Sequence, residues 1–186
     1  MPVDPASLFI VHYPDPVLRA KAADVPEVTD EVRAVADRMI ELMFDAPGIG
    51  LAAPQVGLSW RMFVCHVPPE EGEATDADPL TCTVAPMVYI NPVLSDPVGP
   101  VESGNEGCLS LPQITGDVQR PRTITITALD REGKTFTQTA TDLLARCWQH
   151  ETDHLDGVLI LDRMSQLSRL RTRSAVRGLE KAAGVR

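Results

Sequence analysis

Aromatic residues make up only 4% of the chain, so its core is predicted to rest on Leu, Val, Ile, Ala and Met. No run reaches the roughly 18–20 uninterrupted apolar residues that a membrane-spanning helix needs. The opening MPVDPASLFIVHYPDP has no basic flank, long apolar stretch or small-residue cleavage site, which predicts no secretory signal. The four cysteines (Cys65, Cys82, Cys108, Cys147) show no close pairing in sequence. A disulfide framework is therefore not expected, and a reducing cytoplasm is the expected setting, with thiolates free to bind metal. Internal repeats and low-complexity tracts are absent, and nothing points to a membrane or DNA partner.

What remains is an ordinary globular composition, 44% hydrophobic and 23% charged over 186 residues. That length suits one domain, expected over 1–168, with 169–186 as a basic helical tail of the same domain. The net charge is −9, but it is unevenly placed. From Arg163 onward seven basic residues (Arg163, Arg169, Arg171, Arg173, Arg177, Lys181, Arg186) face one acid, Glu180, leaving about +6 there and −15 elsewhere. Such a tail suits a polyanion such as ribosomal RNA, or else is simply a solvated helix face.

Asp30–Asp45 carries apolar residues at helical spacing, with Thr29 or Asp30 to cap it and Pro47-Gly48 to end it. Arg61–Val67 and Met87–Ile90 read as strands, the second closed by Asn91-Pro92. Between them, Pro68–Pro79 is an acidic exposed loop. Thr123–Thr127 alternates with period two and returns through Asp130–Gly133 into Lys134–Thr139 as a hairpin. Asp142 is expected to cap a helix over Leu143–Leu155, and Gly157 to end it. A last helix covers Met164 to Ala183, with Met164, Leu167, Leu170, Val176 and Leu179 inward. The class is α+β: antiparallel strands packed around a central HExxH helix, with an N-terminal and a C-terminal helix.

His150-Glu151-Thr152-Asp153-His154 is the HExxH sequence in that helix. Residues four apart share a helix face, so both imidazoles can reach one divalent ion. Glu151 is then close enough to hold water at the ion without binding it. A catalytic site of this kind takes three protein ligands, so one more is needed. The extended pattern HExxHxxGxxH holds as far as Gly157 but ends on Ile160, which cannot bind metal. Cys108 is the better candidate, because Gly107 lets the backbone there approach a partner. Cys65 and Cys147 sit in apolar contexts that suit buried, inert thiols. Gly48-Ile49-Gly50-Leu51-Ala52-Ala53-Pro54-Gln55 suggests close backbone approach to a ligand, although a loop packed under the sheet fits equally well.

Taken together, GIGLAAPQ, EGCLS and HETDH match, in order, the GxGxAAPQ, EGCxS and HExDH motifs of peptide deformylases, which the chain closely resembles. Tyr13–Arg19, Ile90-Asn91-Pro92 and Gln149–Gly157 extend the resemblance over residues 8 to 165, with a weaker match in the tail. It implies a metal-dependent hydrolase that removes the N-formyl group from the initiator methionine of new polypeptides. The implied ligands are Cys108, His150 and His154, holding one divalent ion, typically Fe(II) in the cell, with Ni, Co or Zn tolerated. Glu151 would transfer protons, and the Gln55 amide and Leu109 N–H would stabilise the oxyanion. Ile49 and Gly50 would pair with N-formylmethionyl nascent peptides, whose methionine enters a pocket near Gly107, Leu143 and Cys147. The basic C-terminal helix would contact the ribosome, as it does in some members. Two departures, Gly104 and the Gln-Ile-Thr-Gly run at 113–116, bear on pocket shape. The competing readings are an HExxH zinc peptidase and a non-catalytic peptide- or ribosome-binding paralogue on the same fold.

Overall fold

The computed structural model describes residues 2–185, so Arg186 of the basic tail lies outside the described residues. Helix α1 (Asp30–Asp45) begins at Thr29, whose side chain accepts from the Val32 N–H. Among the described residues the strands are β1 (Gly50–Ala52), β2 (Met62–Cys65), β3 (Met87–Cys108), β4 (Leu111–Leu129) and β5 (Thr135–Thr141). They form one antiparallel sheet in sequence order. Helices α2 (Asp142–Leu155), α3 (Ile160–Arg163) and α4 (Gln166–Ala182) complete the chain. No helix of the described residues is long and apolar enough to cross a membrane.

Period-two alternation in β2 explains how the sheet holds a helix on each face. Met62 and Val64 pack in one core with Val35, Met39 and Met43 of α1. Phe63 and Cys65 face the other way, into a core with Leu144, Cys147 and Trp148 of α2. The few aromatics concentrate in this second core. Phe63 stacks on Tyr89 at 4.7 Å and Tyr89 meets Trp148 edge-on at 5.6 Å. Aromatic pairs of this kind add about 0.5–1.5 kcal/mol each beyond their burial. They fix α2 against the sheet, which matters because α2 carries the HExxH sequence.

Several elements differ from the sequence reading. β3 does not stop at Asn91-Pro92 but runs on to Cys108. Pro92, Pro97 and Pro100 each fall within a register shift against β4, so irregularities absorb the missing N–H groups. The residues before them, Asn91, Asp96 and Gly99, all have positive φ. β4 likewise extends well beyond Thr123–Thr127. Asp142 is not the cap of α2. Thr141 holds that position, and the Asp142 carboxylate accepts from Arg122 Nε at 3.0 Å. Met164, Val176 and Leu179 pack inward as expected, but on α4 Leu167 and Leu170 are exposed. The inner position goes to Ser168, whose hydroxyl accepts from the Asp117 N–H at 3.0 Å and anchors the helix to β4.

Candidate metal centre

Two elements converge to make the site. β3 and β4 form a long hairpin whose tip is Leu109-Ser110, which sets Cys108 at the end of β3. That tip is pinned from outside, because Tyr13 N–H donates to the Ser110 carbonyl at 2.8 Å. Helix α2 brings His150, Glu151 and His154 to the same place. One ligand atom from each of Cys108, His150 and His154 lies within 4.8 Å of the others. The Cys108 Sγ to His154 Nε2 separation is 3.2 Å. Bond lengths of about 2.3 Å for sulfur and 2.0–2.1 Å for nitrogen put tetrahedral S and N ligands about 3.5 Å apart. The donor set therefore fits an ion such as Fe, Co, Ni or Zn, which thiolate and imidazole suit better than they suit Mg or Ca.

A buried ionic network surrounds these side chains. His150 Nδ1 is 3.0 Å from Glu106 Oε2, so its Nε2 is the nitrogen left for an ion. Glu106 also accepts two bonds from Arg120, both 2.9 Å, and one from Arg146 at 2.8 Å. Arg120 reaches onward to Asp153 at 2.7 Å, and Asp153 takes a further bond from Arg163 at 2.8 Å. Glu106 and Arg120 are almost wholly buried. Burial alone would raise the Glu106 pKa, but the Arg120 bonds and then His150 hold it well below the usual carboxylate range. Carboxylate partners of this sort orient metal-binding histidines and strengthen them as ligands.

The same surroundings set the protons. Burial works against a charged His150, but hydrogen bonds to Cys108 and Glu106 outweigh it and lift the ring to about 10. His154 goes the other way, pushed well below its ordinary value by burial and the neighbouring His150 charge. Burial raises Glu151 to about 7, with Glu106 adding to the shift and His150 opposing it. Glu151 Oε2 and His154 Nδ1 are buried without a hydrogen-bond partner. Buried polar atoms without a partner are uncommon in folded proteins.

A cavity of about 360 Å³ opens over these groups. Ile49, Gly50, Gln55, Gly107, Cys108, Leu109, Leu143, Cys147, His150 and Glu151 all line it, so most of the residues singled out from sequence meet there. His154 sits just behind, 1% exposed. Gln55 is oriented by its own Oε1, which accepts from Ala52 N–H at 2.8 Å. Its amide nitrogen is thereby turned toward the centre, 3.5 Å from Cys108 Sγ. Gly50 is required by proximity, because a Cβ there would lie 2.3 Å from Glu151 Oε1.

Arg146 is a lining residue that the sequence did not reveal. Its guanidinium fills the space over Gly104, where an added Cβ would come within 2.7 Å of it. The departure at Gly104 is thus answered by a long side chain on α2. Arg120 and its pairing with Asp153 also went unnoticed, since a buried ion pair between distant segments leaves no spacing to read. Glu106 and Asp153 did have a signal, as members of the EGCLS and HETDH segments.

Comparison with known proteins agrees with this geometry. Residues 8–170 match the family profile described as polypeptide deformylase. The chain is 48% identical over 176 residues to a peptide deformylase of Alkalilimnicola ehrlichii, covering 95% of this chain and 90% of that one. It is 43% identical to one from Agrobacterium fabrum, over 86% and 88% of the two chains. The crystal structure of peptide deformylase from Ehrlichia chaffeensis superposes with a TM-score of 0.83 at 35% identity, over 95% and 96% of the two chains. With its fold, its motifs and its clustered cysteine and histidines in accord, this chain belongs to the peptide deformylase family.

Proposed function

We propose that the chain removes the N-formyl group from the initiator methionine of newly made polypeptides, releasing formate, with the labour divided among the residues above. The observation that carries this reading is the meeting of Cys108, His150, Glu151 and Gln55 on the wall of one cavity, with His154 directly behind and within 4.8 Å of the cysteine and the other histidine. Cys108, His150 and His154 would hold a single divalent ion, with Fe(II) as its cellular occupant and Ni, Co or Zn as substitutes. When bound, such an ion acidifies water toward neutral pH and polarises a carbonyl, which is the chemistry that formamide hydrolysis demands.

The chain's own groups do the rest. Glu151, held near 7, takes the proton of the attacking water and delivers it to the departing amine. As the formyl carbon becomes tetrahedral its oxygen gains negative charge. The Gln55 amide and the Leu109 backbone N–H donate to that oxygen, and each such donor contributes about 100- to 1000-fold in rate. Ile49 and Gly50 offer main-chain groups to an extended peptide, so residues after methionine are tolerated. The methionine side chain enters the cavity beside Gly107, Leu143 and Cys147. Helix α2 is the centre around which these strands work, within a catalytic domain of residues 1–168.

The enzyme would act in the cytoplasm on nascent chains. The 169–186 tail supports a contact with ribosomal RNA, because Arg169, Arg171, Arg173, Arg177 and Lys181 are all exposed. Deleting the tail should then reduce co-sedimentation with ribosomes at low salt, whereas equal pelleting would remove that role. The main assay is formate release from a formyl-Met peptide by protein loaded anaerobically with Fe(II), Ni(II) or Zn(II). Cleavage of internal bonds in unformylated peptides would point instead to a zinc peptidase. Full metal occupancy without turnover would point to a non-catalytic binding protein.

A further inference from the structure

At the floor of the cavity two thiols meet whose redox chemistry the hydrolysis does not use. Cys65, on β2, is fully buried, and Cys147, on α2, is 4% exposed and lines the cavity. Their Sγ atoms are 3.2 Å apart across 82 residues of sequence. Both are free thiols. We propose that Cys65 and Cys147 form a reversible dithiol–disulfide modification site, oxidised by a hydroperoxide that enters through the cavity and reduced again by thiol–disulfide exchange with a small dithiol, and that closing it resets the floor of the substrate pocket.

The geometry favours this pair over other pairings. A disulfide bond is about 2.05 Å long, so the sulfurs must approach by about 1.2 Å. Cys108 shares the cavity, but its sulfur is already engaged with His154 and Gln55. Cys82 is buried elsewhere, with its sulfur nearest the Ala74 carbonyl. Of the two paired thiols, Cys147 is the one that the cavity exposes, so within the pair it meets the oxidant first. Its sulfur attacks one peroxide oxygen and breaks the O–O bond, giving a sulfenic acid and one water. Cys65 sulfur then attacks the sulfenic sulfur, and the hydroxyl leaves as a second water. Overall two thiols lose two electrons and two protons, and hydrogen peroxide is reduced to two waters. The Cys65 contact and burial push the Cys147 thiol well above its ordinary range, so this oxidation is slower than that of an exposed cysteine.

The consequence falls on Ile49 and Gly50. Cys147 Sγ–H donates to the Ile49 carbonyl at 3.5 Å. A disulfide has no such hydrogen, leaving that carbonyl with only the His66 N–H, at 2.8 Å. The sulfur also packs against Gly50, where an added Cβ would lie 2.9 Å from it. Drawing it toward Cys65 loosens the support under the segment that pairs with the peptide. Cys108, His150 and His154 are untouched, so KM should change while metal content does not. This kinetic half rests on the assignment of the cavity to the peptide substrate, whereas the chemical half does not.

The test uses the full chain loaded with Zn(II), which does not itself change oxidation state. Protein is treated with hydrogen peroxide, denatured, alkylated and mapped as peptides. The expected result is a Cys65–Cys147 linked peptide, abolished by dithiothreitol, with KM for a formyl-Met peptide shifted at least threefold at constant zinc content. Cys65→Ala should match the untreated wild type and show no KM change on oxidation. Full alkylation of both cysteines after peroxide, or a Cys108–Cys147 link, would overturn the proposal. A link with unchanged KM would overturn its effect on the pocket. If Cys65→Ala fails to fold, the peptide map of the wild type still decides. Lack of turnover before oxidation would count against the deformylase reading, and the linked peptide would still test the thiol pair.

Discussion

Replacing Gly50 by Ala tests the site at its tightest point. The new methyl carbon would stand 2.3 Å from Glu151 Oε1, 2.7 Å from its carboxyl carbon and 2.9 Å from Cys147 Sγ. Ordinary contact begins near 3.4 Å, so the carboxylate must retreat by about 1 Å. A carboxylate is the mobile end of a side chain, so the fold yields cheaply, at the low end of the 1–3 kcal/mol that overpacking costs. Catalysis does not yield cheaply, since a misplacement of about 1 Å typically costs about 100-fold. That factor equals about 2.7 kcal/mol of transition-state stabilisation. The expected variant therefore melts within a few degrees of wild type, binds a full equivalent of metal and releases formate about 100-fold more slowly. Turnover within threefold of wild type would refute the claim that the position of Glu151 controls the reaction.

Glu106→Gln should injure the fold and the metal site together. It leaves Arg120 short of its bidentate partner, and breaking a buried ion pair from one side costs about 3–5 kcal/mol. It also weakens the carboxylate behind His150, which typically lowers metal affinity 10- to 100-fold. Thermal melts and competition with a chromophoric chelator would measure the two effects, and an unchanged Tm with unchanged affinity would contradict the network. Metal loading should also release protons. Without metal His150 stays protonated below about 10, whereas binding needs the neutral ring. At pH 7.5 each ion should displace at least one proton, and affinity should rise about tenfold per pH unit for each proton released. Calorimetry in two buffers of different ionisation enthalpy would count them, and zero protons would contradict the assignment of His150.

The chemistry was more legible in the sequence than the framework that positions it. HExxH spacing needs only a helix to bring two imidazoles together, and α1 and α2 are bounded almost as capping and periodicity predict. Cys108 was singled out because a third ligand was sought and Gly107 marked a close approach, and its sulfur lies beside both histidines. The length of β3 was hidden, since proline normally ends a strand and here register shifts absorb three of them. At the last helix Met164, Val176 and Leu179 pack inward as expected, but Leu167 and Leu170 were misread because hydrophobicity favoured them, while the Asp117 N–H bond to Ser168 holds the first turn. Arg120 and Asp153 are 33 residues apart and joined only by the fold. Such pairs become visible only once β4 and α2 are packed.

Glu151→Gln, assayed for bound metal and for formate release in the same preparation, tests the central claim most directly. The amide keeps the size of the side chain but cannot take a proton from water. The account predicts one equivalent of metal, as in wild type, with turnover reduced by about 100- to 10,000-fold. Near-normal turnover with metal in place would contradict the assignment of Glu151 as the proton-transferring group.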